Sequence, residues 1–400
     1  MNKSIIFIIL TLICLIFSSS SFALEESNSC DGSVPGISNP AAVYCQEMGY
    51  TYEIKENENG QYGVCNFDSR QTCDAWEFLE GKCGQEYSYC AKNGYNLQVK
   101  DDGQNPFSSE YAVCVKGRTE VGSVVDLINL NEKVIKGKQE VKILKENTRK
   151  TIKRKKVAIP FKFDWRNYKG KDWITYVKDQ GSCGSCWAFA AIGVVEAAYN
   201  IQNGDPNLDL DLAEQYLVSD CLLDKNCCGG TTHNALNYLR NDGVPDEQCM
   251  PYWDGYSCSC FGGQCSAFCS YSGPGQCSDY TCGDRCDDWD ERLTTVQDYE
   301  RVGAFTNPIS KRGIKESIIE NGPHTAYMQI NGYFDEDGIY KCTNPTYVNH
   351  AVVIVGYNDF ERHWIVKNSF GSHWQDDGYF NVGYGQCLID TIELDYIDEF

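Results

Sequence analysis

The sequence predicts an α+β fold with a small disulfide-rich β module in front of it. The apolar, proline-free run 187–199 indicates a buried helix. The β-branched run 351–357 and the segment 364–368 indicate strands. Closely spaced cysteines in residues 24–114 indicate a module held by disulfides.

The first 23 residues have the pattern of a signal peptide, with Lys3 before the apolar core 5–17 and Ser21-Phe22-Ala23 at its end. Of the 23 cysteines, 22 follow this segment, which predicts an oxidising compartment. No later apolar run reaches about 18 residues, so we expect no membrane contact after cleavage. The predicted location is the secretory pathway, ending in a lysosome, an acidic vacuole or the extracellular space.

Charge divides the chain into three parts, with net charges of −9 for residues 1–114, +8 for 115–158 and −20 for 159–400. The basic run 153–156 could indicate a nucleic-acid site, but a signal peptide argues against that partner. We interpret 115–158 as a basic propeptide and linker with an amphipathic helix over 124–144. It would neutralise the acidic domain and contain the cleavage site.

Cys186 is the candidate nucleophile because it opens the predicted helix, whose N-terminal dipole favours a thiolate. Its expected base is His350, at the start of a predicted strand, whereas the other four histidines lie in polar or turn-like stretches. Asn368 ends the next predicted strand, and Gln180 precedes the thiol by six residues. The alternative reading of Cys183 and Cys186 is a redox or disulfide pair.

The segment Gln180-Gly181-Ser182-Cys183-Gly184-Ser185-Cys186-Trp187-Ala188-Phe189 resembles the nucleophile signature of papain and the cathepsins. The chain order Cys186, His350, Asn368 also matches that family. The resemblance spans residues 159–400, and details of the sequence bring it nearest to cathepsins X and B. It implies a two-lobed fold, with a helical left lobe and a β-rich right lobe.

The same resemblance implies a cysteine-type endopeptidase, made as a zymogen, that acts on polypeptides without a metal or cofactor. Cys186 and His350 would form a thiolate–imidazolium pair oriented by Asn368, and Gln180 would complete the oxyanion hole. The alternative is a weak or inactive binding protein on this scaffold, in which the N-terminal module carries the function.

Further site residues are implied only by the resemblance. Cys227-Cys228-Gly229-Gly230 is similar to the wall of the substrate cleft, so Gly229 and Gly230 are expected to bind substrate together with Asn349. Ile392 would form the floor of the main specificity pocket, with Glu393 as the alternative register. The usual tryptophan after the catalytic asparagine is replaced by Phe370.

The resemblance also implies the disulfides Cys183–Cys227 and Cys342–Cys387, and a downstream partner for Cys221, either Cys249 or Cys258. The cysteine-rich insertion 249–290 lacks histidine and a zinc-like spacing, so a disulfide-pinned loop is favoured over a metal site.

The N-terminal module, residues 24–114, contains two related units that begin at Cys45-Gln46-Glu47-Met48-Gly49-Tyr50 and Cys90-Ala91-Lys92-Asn93-Gly94-Tyr95. The first unit resembles a small domain of bacterial secreted proteins that is named after haemolysins. That resemblance identifies no ligand, and a disulfide-held spacer or binding module is the simplest interpretation.

Overall fold

The computed structural model describes residues 34–135, 139–140, 158–222, 227, 229–254, 281–303 and 309–400. The predicted signal peptide, the basic run 153–156 and most of the 249–290 insertion lie outside these residues. Within the described ranges, no helix is both long and apolar enough to span a membrane.

The N-terminal module consists of a short strand, β1, and two units with one order of elements: helix, antiparallel hairpin, third strand, helix. The strand and the first unit are β1 Val34–Pro35, α1 Pro40–Glu47, β2 Thr51–Asn57, β3 Gly60–Asn66, β4 Thr72–Asp74 and α2 Ala75–Glu80. The second unit is α3 Tyr89–Lys92, β5 Asn96–Asp101, β6 Glu110–Lys116, β7 Thr119–Ser123 and α4 Val124–Leu127. Cys45–Cys65 and Cys90–Cys114 tie the first helix to the second strand in each unit, and Cys73–Cys83 adds a third bridge.

The predicted helix over 124–144 is wrong. Two short helices, α4 and α5 Leu130–Val134, meet at Asn129, whose φ of 54° is left-handed and interrupts the helix. Helix α5 packs on α1, and Ile135 forms a bridge with Ile37. The packed module therefore runs from residue 34 to 135, past the expected boundary at 114. A short strand, β8 Gln139–Glu140, follows it.

The main domain has a helical lobe and a strand-rich lobe. The elements from its start to the end of the helical lobe are β9 Lys162–Asp164, α6 Cys186–Asn203, α7 Glu214–Val218, β10 Gly229–Gly230 and α8 Thr232–Asn241. The later elements are β11 Asp298–Val302, α9 Lys311–Asn321, β12 His324–Met328, β13 Tyr333–Phe334, β14 Ile339–Lys341, β15 Tyr347–Val348, β16 His350–Asn358, β17 His363–Lys367, β18 Tyr379–Gly383 and β19 Leu394–Glu399.

One seven-stranded sheet organises the second lobe, in the order β12–β16–β17–β18–β14–β13, with β9 paired to β16. All nine residues of β16 are buried, as a β-branched run between two layers should be. Helix α6 packs against β16 and is itself buried over most of its length. The predicted α+β class, the buried helix and both predicted strands are confirmed.

Among the described residues, four disulfides hold the main domain, and two of them differ from expectation. Cys183–Cys227 and Cys342–Cys387 are formed as the resemblance implied. The expected pairing of Cys221 with Cys249 or Cys258 is wrong, because Cys221 bonds to Cys282 and Cys249 to Cys286. The last part of the insertion returns alongside Cys249, where the Cys286 N–H donates to the Cys249 carbonyl at 2.9 Å. Both bridges therefore close the base of the insertion.

Candidate active site

Cys186 is the first residue of α6, and its thiol lies between the two lobes. It is 2% exposed and is the one free cysteine among the described residues. No side chain caps the start of α6, so its first backbone N–H groups keep their positive end of the dipole near the sulfur. From the other lobe, the Ala351 N–H donates to Cys186 Sγ at 3.4 Å.

His350 opens β16, one residue before this contact, and is fully buried. Its Nε2 lies 2.7 Å from Asn368 Oδ1, just beyond the end of β17. The ring stacks on Phe370 with centroids 5.0 Å apart, and Phe370 is fully buried, so it excludes water from the His–Asn bond. His350 Nδ1 has no hydrogen-bond partner among the described residues, which leaves this nitrogen available for proton transfer.

Gln180 is fixed beside the thiol from both sides. Ser369 Oγ donates to Gln180 Oε1 at 2.7 Å, which turns the amide nitrogen toward the cleft. Gln180 Nε2 donates to the Cys183 carbonyl at 2.7 Å and to the Ile37 carbonyl at 2.6 Å. The side-chain amide expected to bind an oxyanion is thus already in contact with a peptide carbonyl.

The Ile37 carbonyl belongs to a segment of the N-terminal module that runs through the cleft. Strand β1 pairs antiparallel with β10, with Val34 opposite Gly230 and Pro35 opposite Gly229. A Cβ on Gly36 would overlap the Gly184 carbonyl, so only glycine fits there. The predicted substrate-binding glycines are therefore paired with the protein's own chain.

Burial under this segment governs the ionisation of the site. Desolvation raises the pKa of the Cys186 thiol to about 11, although backbone N–H groups oppose it. Desolvation also lowers the pKa of His350 to about 4, against the effect of Asn368. Burial in this closed form therefore opposes a charge on either group.

The remaining predicted binding residues take different positions. The Asn349 side chain bonds both backbone groups of Ile330, at 2.7 and 3.1 Å, so any role in binding must come from its backbone. Ile392 is buried at 2% exposure. Glu393, the alternative floor, is paired with Arg301 at 2.8 Å.

A buried charge cluster beside α6 and α7 was not predicted. Lys178 Nζ lies 3.0 Å from a carboxylate oxygen of Glu196, 2.7 Å from one of Asp211 and 3.0 Å from one of Glu214. Tyr252 was also missed, although its hydroxyl bonds Ser185 Oγ at 2.7 Å and the Gln180 carbonyl at 2.8 Å. A single lysine, acidic residue or tyrosine in the sequence is usually exposed, so nothing in the sequence shows which of them is buried in such a contact.

A thiol at a helix N-terminus, a buried imidazole held by an amide and a second amide beside the sulfur define the site of a thiol-dependent hydrolase. The chain belongs to the papain family of cysteine proteases, whose family model matches residues 159–394. A second match covers residues 36–82 and is to DUF333, a domain of unknown function.

Relatives of known type agree with this family. The chain is 31% identical over 254 residues to a cysteine proteinase of Trypanosoma brucei brucei, covering 60% of this chain and 48% of that protein. It is 34% identical over 224 residues to cathepsin K of Gallus gallus, covering 55% and 58%. The chain thus spans about half the length of these relatives. The affinity with cathepsins X and B stays a prediction.

Among solved structures, the fold is similar to digestive procathepsin L2 from the larval midgut of Tenebrio molitor. That match has a TM-score of 0.46 and 26% identity, and it covers 60% of this chain and 68% of the other.

Proposed function

We propose that the chain is a cysteine peptidase of the secretory pathway, made as a zymogen, that hydrolyses polypeptides through Cys186 and His350. The observation that carries this proposal is the 2.7 Å contact of His350 Nε2 with Asn368, which leaves Nδ1 unpaired, while the N–H of the next residue, Ala351, donates to the thiol sulfur. The signal-like start and the disulfides favour an acidic vacuole or the extracellular space. Family membership supports polypeptide substrates.

In the open form, removal of the module would rehydrate the site and let the Cys186 proton move to His350 Nδ1. The thiolate then attacks the scissile carbonyl carbon, and the oxyanion takes hydrogen bonds from Gln180 Nε2 and the Cys186 N–H. The imidazolium returns the proton to the departing amine, the C–N bond breaks, and a thioester remains. Water, deprotonated by His350, attacks the thioester, and the C–S bond breaks to restore the thiol.

An active-site label separates this proposal from the binding-protein alternative. We define the cut protein as a variant in which residues 153–156 are replaced by the recognition sequence of a site-specific protease and then cleaved. At nanomolar concentration it should be labelled at Cys186 by an epoxide selective for thiol peptidases, with loss of peptide hydrolysis in proportion. Denatured cut protein is the control. If the native form is labelled no faster than the denatured form, the site is not a peptidase site.

We expect the main specificity pocket of the cut protein to accept bulky apolar side chains and to discriminate against arginine. Ile392 offers no partner for a buried cation, and an unpaired buried charge costs several kcal/mol. A peptide library reports this preference as relative kcat/KM values. Ile392→Glu should improve cleavage of peptides that place arginine in this pocket, whereas Glu393→Gln should leave the preference unchanged. Strong arginine preference that disappears in Glu393→Gln would identify Glu393 as the floor.

A further inference from the structure

We infer that the N-terminal module, residues 34–135, is an inhibitor of papain-fold thiol peptidases that binds the catalytic cleft without being cleaved. It closes the cleft of its own chain, and its partner in trans is the open cleft of a second copy of this peptidase. The inhibitory role rests on the proposed function, because only an active peptidase can be inhibited. The covering of the Cys186 thiol by the module does not depend on that function.

The cleft segment reaches the catalytic groups but not in the geometry of a substrate. The Ile37 carbonyl accepts from Gln180 Nε2 at 2.6 Å, while the Ile37 N–H lies near enough to the Cys186 sulfur to act against the rise of its pKa. The carbonyl oxygen at the oxyanion amide therefore belongs to the peptide group that follows the amide facing the sulfur. The sulfur faces the peptide group between Gly36 and Ile37, whereas the oxyanion amide binds the carbonyl oxygen of the group between Ile37 and Ser38. Because thiol and oxyanion amide address different peptide groups, neither group is placed for cleavage.

Residues on both sides of Ile37 are locked in place. Ser38 Oγ donates to the Ser182 carbonyl at 2.6 Å, and the Asn39 N–H donates to the Gly181 carbonyl at 2.8 Å. Asn39 also caps helix α1, where its Oδ1 accepts from the Ala41 N–H at 3.0 Å. A strand that leads directly into a capped helix cannot relax into the cleft as a flexible substrate does.

A second contact lies on the far side of the catalytic histidine. Trp76 Nε1 donates to the Phe370 carbonyl at 2.9 Å, and the Asn39 amide donates to the same oxygen at 3.3 Å. In return, Trp374 Nε1 donates to the Phe107 carbonyl at 2.7 Å. These bonds hold the module over Phe370, which stacks on His350, and over Trp374, which packs against Phe370.

Much of the contact is made with the backbone of the main domain. Gln61 illustrates this, since its N–H bonds the Val177 carbonyl at 2.9 Å, its side-chain oxygen the Asp179 N–H at 3.0 Å, and its carbonyl the Ser372 N–H at 2.7 Å. Backbone positions are shared by every copy of a fold, so the same surface suits an open cleft of another molecule. Module and main domain are both acidic, so opposite net charge does not drive the contact.

One buried side-chain contact adds strength. Asp179 is fully buried, and its carboxylate accepts from Tyr52 O–H at 2.6 Å and from the Asn39 amide at 2.9 Å. Within the main domain, the Gly181 N–H donates to it at 2.9 Å. Hydrogen bonds to a buried charge are among the stronger ones, so Tyr52 is a suitable second position for a test.

The first experiment measures how fast iodoacetamide alkylates Cys186 in the full chain, read by mass spectrometry at pH 8. Wild type should react slowly, and Gly36→Ala, whose Cβ overlaps the Gly184 carbonyl, should react at least about tenfold faster. Tyr52→Phe should react about 10- to 100-fold faster through loss of a charge-assisted bond. Gly94→Ala is the matched control, because Gly94 also lies in the module, in the left-handed region, but a Cβ there meets nothing within 4 Å.

Wild-type alkylation as fast as in Gly36→Ala, or no acceleration in either Gly36→Ala or Tyr52→Phe, would overturn the inference. Faster alkylation of Gly36→Ala without any peptide hydrolysis by that variant or by the cut protein would instead refute the proposed function while leaving the cleft covered.

The second experiment asks whether the module inhibits without its tether. The cut protein should remain latent at micromolar concentration and gain specific activity on dilution, and its two parts should co-elute in gel filtration. Mass spectrometry of the module after incubation should show its intact mass, with no cleavage near residues 36–38. Full activity at micromolar concentration would show that the linker alone keeps the protein latent, and cleavage near residues 36–38 would show a substrate instead of an inhibitor.

Discussion

Cys186→Ser and His350→Ala are each expected to abolish peptide hydrolysis by the cut protein, lowering kcat by at least about 10⁴-fold. Serine keeps the size of the side chain but is far less nucleophilic, and alanine removes the proton acceptor. Gln180→Ala should lower kcat by about 10²–10³, the usual effect of losing one oxyanion donor. Initial rates on a fluorogenic peptide measure all three.

The control for these variants is His233→Ala, because His233 lies in α8 and bonds Tyr299 and Asn237 away from the thiol. It should retain hydrolysis within a factor of about two. Thermal unfolding must show that Cys186→Ser remains folded. Retained hydrolysis in Cys186→Ser or His350→Ala would remove these residues from the mechanism, and full activity in Gln180→Ala would remove the oxyanion role.

The sequence was sufficient for the parts of the site that depend on local patterns. Cys186 had to open a helix and His350 a strand, because an apolar run and a β-branched run follow them directly. The structure brings His350 and Asn368 into contact as consecutive strands β16 and β17 of one sheet. Disulfide partners after residue 221 were not predictable in this way, since pairing depends on where the chain returns in space.

The role of the module was also beyond sequence reasoning. The charge pattern placed the covering segment in residues 115–158, because opposite net charges suggested an electrostatic contact. In the described residues the segment over the thiol comes from the module, where Ile37 and Gln61 bond to backbone or amide groups, while β8 of the basic block pairs with β15. Contacts with backbone groups do not depend on the residue type of the partner, so the amino-acid composition does not reveal them. Burial of the thiol and the imidazole under this segment also opposes a charge on each of them.

Lys178→Met is expected to destabilise the protein by about 3–5 kcal/mol at pH 7, since it leaves buried carboxylates without their cation. Glu196 and Glu214 are each 1% exposed and come from α6 and α7, so the cluster joins elements beside the site. Guanidinium unfolding of the full, disulfide-intact chain, followed by tryptophan fluorescence, gives the change in midpoint. Arg312→Met is the control, because the Arg312 side chain is 67% exposed and its loss should change stability by less than about 1 kcal/mol.

The loss in Lys178→Met should shrink as the pH falls. Burial already raises the pKa of Glu214 well above its usual value, with Lys178 acting in the opposite direction. Without the cation the folded-state pKa rises further, so the folded variant binds protons more readily than the unfolded chain does. Its stability therefore increases from neutral pH toward the unfolded glutamate pKa of about 4.3. A deficit that stays constant between pH 7 and pH 4.5 would mean that lost packing, and not uncompensated charge, causes the destabilisation.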